Sequence, residues 1–286
     1  MLTPVYADTV TIYTLWWFCL EAIPWSGQHG QMKVISWNVN SLNVRLPHVL
    51  ELLVKHQPDV LVLQETKVPD EKFPLAEIAQ AGYQVVFSGQ KTYNGVAILS
   101  RQKASDCVFD VPGLDDPQRR LLAATVNGIR IIDVYIPNGQ EVSSEKYAYK
   151  FSWLNAFRDY LQQEIAEHEQ LIVLGDYNIA PADLDVHDPD RWQGKIMCST
   201  AEREMFQSLI DLGLTDAVRQ LHQDKSVFSW WDYRMNAFRR GWGLRIDHVL
   251  ASATMQAVEA GVYTDFRTLE RPSDHAPVWV LFAQPT

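Results

Sequence analysis

Leu171-Ile172-Val173-Leu174-Gly175-Asp176-Tyr177-Asn178 is an apolar run that stops at a carboxylate and an amide. A short apolar run bounded by polar residues reads as a buried strand that delivers its last side chains to a sheet edge. If the strand continues, Asp176 and Asn178 project from one face, where a carboxylate beside an amide can hold and deprotonate a water. An Asx-turn leading into Pro181 is the plainer alternative, and it explains one of the two residues but not both.

The same arrangement recurs elsewhere in the chain. Val60-Leu61-Val62-Leu63-Gln64-Glu65 ends in an acid, and Ser36-Trp37-Asn38-Val39-Asn40 puts amides at the end of an apolar segment. Arg271-Pro272-Ser273-Asp274-His275-Ala276-Pro277 sets a carboxylate and an imidazole side by side, read here as the end of an apolar run. Arg245-Ile246-Asp247-His248 lies inside another. Acids and amides scattered over several strand ends point to a divalent-metal site that carries out hydrolysis.

The intervening pattern alternates. Residues 33–39, 59–64 and 170–174 read as strands, and residues 45–55 and 147–166 have helical spacing. Residues 83–88 and 94–100 form a strand pair. Residues 122–126 and 130–135 are joined by Asn127-Gly128, a strong two-residue hairpin signal. The second half partly echoes the first: a strand with a polar end, a helix, then a strand ending in an acid. Strands occur both as hairpins and after helices, so the sheets should be mixed. Two such halves pack most simply as a four-layer α/β/β/α sandwich with the polar strand ends at one rim.

Nothing resembles an interdomain linker, and at 286 residues and 47% hydrophobic the chain can bury a large core. Residues 32–286 therefore read as one domain. Residues 1–31 read as an extension outside the fold, a misplaced start codon being the favoured account and a weak membrane-targeting segment the alternative. Its apolar stretch with Trp16, Trp17 and Phe18 is too short to span a bilayer. Cys19, Cys107 and Cys198 are odd in number and widely spaced, which indicates neither a disulfide framework nor a zinc site. A reducing cytoplasm is the natural compartment, and a monomer without membrane attachment the simplest form.

A net charge of −10 argues against a generic polyanion binder. The objection is limited, because several acids are candidate metal ligands and a bound cation reverses the local field. Basic residues also cluster, at Arg119-Arg120 and across Arg234, Arg239, Arg240 and Arg245. Asn38, Glu65 and Asp274 suit a hard cation such as Mg2+, which takes carboxylate and amide oxygens. Asp247 and His275 are the other suggestive pair, since a carboxylate fixes the tautomer of an imidazole and stabilises its cation. No nucleophilic serine sits in a Gly-x-Ser-x-Gly elbow, so activated water is the better nucleophile. His48, His56, His168, His187 and His222 read as surface residues. Phe228-Ser229-Trp230-Trp231-Asp232-Tyr233-Arg234 interleaves aromatics with the start of an arginine run, a combination that stacks bases and grips phosphate.

Together these motifs resemble the exonuclease III family of DNA-repair nucleases, within the endonuclease/exonuclease/phosphatase superfamily. The likeness runs from Met32 almost to the C-terminus. It also rests on Asn94-Gly95-Val96-Ala97, Tyr135-Ile136-Pro137-Asn138-Gly139 and Gly243-Leu244-Arg245-Ile246-Asp247, in the family's order and spacing. The resemblance implies Mg2+-dependent hydrolysis of double-stranded DNA at 3′ ends and 5′ to abasic sites, with Mn2+ able to substitute. It implies Asn38 and Glu65 as metal ligands with Asp274 nearby, Asp176 activating water beside Asn178, Tyr135 and Asn138 contacting phosphate and DNA, and Asp247 orienting His275. A second ion at Asp176, Asn178 and His275 is left open.

Two positions depart from the family's pattern. Met197 stands in a loop where relatives that process abasic sites often carry a small residue, and Leu244 stands where some carry Trp. The abasic pocket is expected among Trp230, Leu244 and Ile246, with Met197 near its mouth. Phosphatases or phospholipases of the same superfamily are the rival reading, and Tyr135 with Asn138 and the aromatic-arginine segment 228–240 favour DNA. A non-catalytic nucleic-acid-binding relative is the second rival. It would be expected to lack several of Asn38, Glu65, Asp176, Asn178, Asp247, Asp274 and His275, all of which are present.

Overall fold

The computed structural model describes residues 30–283. Strand β1 (Gln31–Asn38) leads into helix α1 (Leu42–His56) and back through β2 (Val60–Gln64), parallel to β1. Helix α2 (Leu75–Gln80) precedes the antiparallel pair β3 (Gln84–Ser88) and β4 (Val96–Ser100). Next come β5 (Ser105–Phe109), β6 (Leu121–Val126), β7 (Ile129–Tyr135), the long α3 (Glu145–Glu167) and β8 (Leu171–Asp176). Helices α4 (Pro189–Trp192) and α5 (Thr200–Ile210) follow, then β9 (Leu214–Asp216), β10 (Asp247–Ser252), β11 (Ala257–Val262) and β12 (Val278–Ala283).

The strands form two six-stranded mixed sheets, ordered β11-β12-β1-β2-β4-β3 and β5-β6-β7-β8-β10-β9. Side-chain alternation sorts each central strand into two rows. Val34, Val60, Val62, Leu174, Ile131 and Val249 meet between the sheets. Ile35, Trp37, Leu61 and Leu63 face the other way and pack against Val49, Leu52 and Leu53 of α1. On the second sheet Leu171, Val173 and Ile132 meet Trp153, Leu154 and Phe157 of α3 and Phe206 of α5. These contacts make the expected four layers.

Asn127 and Gly128 have φ of 52° and 79°, the two left-handed residues of the turn that joins β6 to β7. Helix α1 begins at Leu42, earlier than the apolar spacing indicates, because the end of β2 captures it. The N–H groups of Ser41 and Leu42 donate to the carbonyls of Glu65 and Thr66, at 2.8 and 2.9 Å. The expectation about residues 1–31 falls almost wholly outside the described residues. Among the described residues no helix is long and apolar enough to cross a membrane.

The inter-sheet layer is not wholly apolar. Asp133 is fully buried on β7, where its carboxyl accepts from Gln64 Nε2 at 2.7 Å and from the Ala97 N–H at 3.2 Å. Burial pushes this carboxyl well above its ordinary range, the hydrogen bonds from Gln64 and Ala97 opposing.

Candidate active site

The inward rows of the central strands end in polar residues at one rim. Strands β1 and β2 run parallel, as do β7 and β8, and their inward rows deliver Asn38, Gln64, Tyr135 and Asp176. Asp247 and His275 arrive differently. Asp247 opens β10, antiparallel to β8, and is the register partner of Asp176. Asp274-His275 precedes β12, which is antiparallel to β1. The reading of Asp274-His275 as the end of an apolar run is thus corrected: it stands at the start of one. Antiparallel pairing brings strand starts and strand ends to the same edge.

Asn38 is the hub. Its Nδ2 donates to Glu65 Oε1 and to Asp176 Oδ2, both at 2.9 Å, while its Oδ1 accepts from the Asn40 N–H at 3.0 Å. Glu65 lies just past β2 with φ of 50°, a left-handed backbone uncommon outside glycine and asparagine. That turn aims its carboxylate sideways into the site, where Tyr135 OH donates to Oε1 at 2.8 Å and Lys67 Nζ lies 2.7 Å from Oε2. Asp274 accepts from Asn40 Nδ2 at 2.9 Å and from Trp230 Nε1 at 3.0 Å.

Asp176 and Asn178 reconcile the two readings of their motif. The Asn178 N–H donates to Asp176 Oδ1 at 2.9 Å, the bond of an Asx-turn, and Asn178 has φ of 50°. Both side chains nevertheless stay in the site: Asn178 Nδ2 donates to the Ile136 carbonyl at 3.0 Å, and Asn178 Oδ1 accepts from Asn138 Nδ2 at 2.8 Å. Gly175 makes the approach possible. Its φ is +153°, and a Cβ there would lie 1.9 Å from the Val134 carbonyl oxygen on β7.

His275 closes the group. Its Nδ1 is 2.9 Å from Asp247 Oδ2, and its Nε2 is 3.7 Å from Asp176 Oδ2. Ser229 Oγ donates to the same Asp247 Oδ2 at 2.5 Å, and the imidazole Nδ1 also lies 3.1 Å from Oδ1, so it spans both oxygens. Burial alone would strip the imidazole of its proton, but Asp247 and Asp176 outweigh it and push His275 up to about 10. Asp176 is pushed up to about 7, chiefly by burial, with His275 opposing and Asp247 adding. Burial also raises Glu65, yet Lys67, Asn38 and His275 prevail and hold it below its ordinary value. Tyr135 is held well above its ordinary value by burial, then by Glu65 and Asp176, so it keeps the proton that it donates.

Four carboxylates, Glu65, Asp176, Asp247 and Asp274, thus face two cations, Lys67 and His275. The donors are carboxylate and amide oxygens, the set that hard divalent ions prefer. The ligand atoms of Asp176, Asp247 and His275 all lie within 4.8 Å of one another, a spacing that one ion can span. A protonated imidazole offers an ion no lone pair, however, so Glu65 is the better anchor. The residues fit a bound cation.

Other expected residues sit further out. Met197, Leu244 and Ile246 are buried in one apolar cluster with Val186 and Cys198, and Trp230 packs against it, so these side chains fill the space between them. Arg234 is exposed and paired with Asp232 at 2.6 Å. Arg245 leaves the proposed basic surface altogether: it is buried and ion-paired with Asp185 and Asp216, at 2.6 and 2.7 Å. Trp230 and Arg234 line an open cavity of about 480 Å3, and Tyr135 and Asn138 line another of about 510 Å3.

Lys67, Ser229 and Lys150 were not singled out by sequence reasoning. Lys150 Nζ donates to the carbonyls of Asn178 and Asn138 at 2.8 and 3.3 Å and pairs with Glu202 at 2.6 Å, with both side chains 0% exposed. Glu202 in turn accepts from the Met197 N–H at 3.0 Å. One buried ion pair therefore ties together three rim loops. A lysine on the apolar stripe of α3, spaced with Trp153, Leu154 and Phe157, was the available signal.

Comparison with known proteins agrees with this geometry. The endonuclease/exonuclease/phosphatase family pattern matches residues 35–275. Exodeoxyribonuclease III of Haemophilus influenzae is 39% identical over 267 residues, covering 88% of this chain and 100% of that protein. The structure of the 3′-5′ exonuclease NExo of Neisseria meningitidis superposes with a TM-score of 0.87 at 52% identity, covering 88% of this chain and 99% of that one. An AP endonuclease from Archaeoglobus fulgidus gives a TM-score of 0.85 at 37% identity, again over 88% and 99%. The chain belongs to the endonuclease/exonuclease/phosphatase family, in its exonuclease III/AP endonuclease branch.

Proposed function

We propose that this protein is a DNA-repair phosphodiesterase that removes nucleotides from 3′ ends of double-stranded DNA and incises beside abasic sites. The observation that carries the reading is the chain of contacts Glu65–Asn38–Asp176–His275–Asp247, hydrogen-bonded except for the 3.7 Å ion pair between Asp176 and His275, which sets a cation anchor, a candidate base and a proton-bearing imidazole side by side. Support also comes from the Neisseria relative, solved as a 3′ phosphatase bound to product DNA hairpin. The catalytic domain is taken as residues 32–286, a monomer acting in a reducing cytoplasm, where free Cys107 and Cys198 are unremarkable.

Glu65, with Asn38 and Asp274 beside it, would hold Mg2+, or Mn2+ in its place. The ion supplies Lewis-acid charge at a phosphoryl oxygen. Asp176, poised near neutrality, takes the proton of the attacking water, and Asn178 and Asn138 orient that water and the phosphate. His275 presents its Nε2 proton to a phosphoryl oxygen as negative charge grows there, and Asp247 keeps the imidazole turned and charged. Tyr135 donates to the same phosphate when Glu65 is otherwise engaged. Because Met197, Leu244 and Ile246 pack closely, removal of 3′ nucleotides is the favoured activity over abasic incision.

Two labelled duplexes test this, one 3′-recessed and one with a central abasic site, each with Mg2+ and with excess EDTA. Metal-dependent cutting of both is expected, faster on the recessed end. Hydrolysis of an inositol polyphosphate with neither duplex cut would overturn it.

A further inference from the structure

Lys150 sits beneath the site rather than in it. It is fully buried on α3, and its ammonium faces three acceptors: the Asn178 carbonyl at 2.8 Å, the Asn138 carbonyl at 3.3 Å and Glu202 Oε1 at 2.6 Å. An ammonium carries three protons, so all are engaged and none is left for a phosphate. Glu202 is used as fully. Its Oε1 also accepts from the Met197 N–H at 3.0 Å, and its Oε2 accepts from the Ser199 N–H at 3.1 Å and from Ser199 Oγ at 2.7 Å.

What the ammonium holds is the backbone of two site residues whose side chains meet. Asn138 Nδ2 donates to Asn178 Oδ1 at 2.8 Å, and Asn178 Nδ2 donates to Asp176 Oδ2 at 3.3 Å. Asn138 follows β7 and Asn178 follows β8, each past the last paired residues, Tyr135 and Asp176. The strand ladder ends before either amide, and something else must hold them. A buried ion pair is a poor source of stability, since two apolar side chains of similar volume often serve as well or better. It is a good clamp on carbonyls, because a charged donor makes shorter and stronger hydrogen bonds than a neutral one.

We propose that Lys150 is a positioning residue of the reaction: its ammonium, neutralised by Glu202, sets the Asn138–Asn178 amide pair in the orientation that meets the water and the phosphate. The proposal rests on the nuclease reading above for its reaction, and it places part of the alignment behind the rim, on α3. A shift of the amide pair by about 1 Å would leave the binding groups present and still cost on the order of 10²-fold in rate.

The test separates alignment from stability on the 3′-recessed duplex. Lys150→Met keeps an unbranched stem but leaves Glu202 buried without its cation, and should lower the melting temperature. Lys150→Met/Glu202→Gln removes both charges, and the amide oxygen at 202 still accepts from Met197 and Ser199, so the melting temperature should return most of the way to wild type. Its kcat should nevertheless stay down about tenfold or more, with KM within about twofold. Asn178→Gly accepts the left-handed backbone and removes the amide. In that background the same double change should slow kcat less than about twofold, because the group that Lys150 positions is gone. A kcat that recovers with the melting temperature, or equal slowing with and without the Asn178 amide, overturns the proposal and leaves Lys150 a structural residue. If wild type hydrolyses an inositol polyphosphate and cuts neither duplex, the nuclease reading falls, and the same ratios on that substrate still decide the role of Lys150.

Discussion

Asp176 and Asp247 stand opposite each other across the β8–β10 pair, and His275 bridges them, 2.9 Å from one carboxylate and 3.7 Å from the other. Two buried acids this close would repel, and the imidazolium between them relieves that repulsion. The three residues should therefore behave as a unit. Asp176→Asn and His275→Ala should each lower kcat on the order of 10²-fold or more, with DNA affinity preserved. Asp247→Ala should resemble His275→Ala. In the Asp247→Ala/His275→Ala double mutant the losses should fall well short of additive, and a fully additive pair in single-turnover assays would count against the coupling.

Glu65 is held ionised by direct contact with a lysine, Lys67 at 2.7 Å. Chelation should abolish activity, and Mg2+ or Mn2+ should restore it. Glu65→Ala should shift the metal requirement sharply upward in a titration of rate against free Mg2+. An unshifted titration curve would remove Glu65 from the metal site.

Met197 should set the balance of products. Met197→Gly opens the cluster that Leu244 and Ile246 close, and should raise abasic incision more than 3′-end cutting. Trp230→Ala removes a wall and should weaken abasic selectivity. The measurement is the ratio of the two rates on matched duplexes; a ratio unmoved in both variants would show that this cluster does not decide the choice.

Stability offers an independent check at Asp133. Asp133→Ala leaves Gln64 Nε2 and the Ala97 N–H without their acceptor between the sheets, which should cost about 1–3 kcal/mol in denaturant unfolding. Asp133→Asn retains one acceptor and should lose less. Equal losses would mean that volume, not hydrogen bonding, dominates the position.

Acid sensitivity should come from the opposite side of the second sheet's site edge. Burial pushes Asp185 and Asp216 up, but Arg245 and His248 outweigh it and hold both below the ordinary range. A carboxyl with a lowered folded pKa contributes its full stability above the unfolded value, about 4, and loses it as pH falls through the folded value. Asp216→Asn should accordingly lower the melting temperature at pH 7 more than at pH 3. A uniform drop across that range would remove the ionic contribution.

Much of this was legible in the chain because strand ends leave a strong local mark. The apolar runs ending at Asn38, Glu65 and Asp176 announce both the sheets and the site, and Asn127-Gly128 fixes a hairpin. Asp274-His275 is preceded by polar residues 270–273 and followed by the apolar Val278–Ala283, so its place at the start of a strand was legible; that antiparallel pairing with β1 returns this start to the same rim was not. Arg245 looked like surface charge because its partners Asp185 and Asp216 are remote in sequence. Lys150 and Ser229 act through contacts made only after the layers dock. Edge strands β5 and β11 carry exposed or half-buried side chains and little alternation, and β9 is only three residues long.

The inward rows that end in Asn38, Gln64, Tyr135 and Asp176 are continuous with the apolar rows packed between the sheets. Catalytic alignment in this molecule is therefore a matter of counting. Deleting one residue from Val60–Gln64 or Leu171–Asp176 would turn every later side chain to the opposite face, exchanging Asp176 for a neighbour that points toward α3. Loops beyond the rim can lengthen without touching that parity. The chain is free to vary in reach around its reaction centre, but within the central strands its length is fixed to the residue.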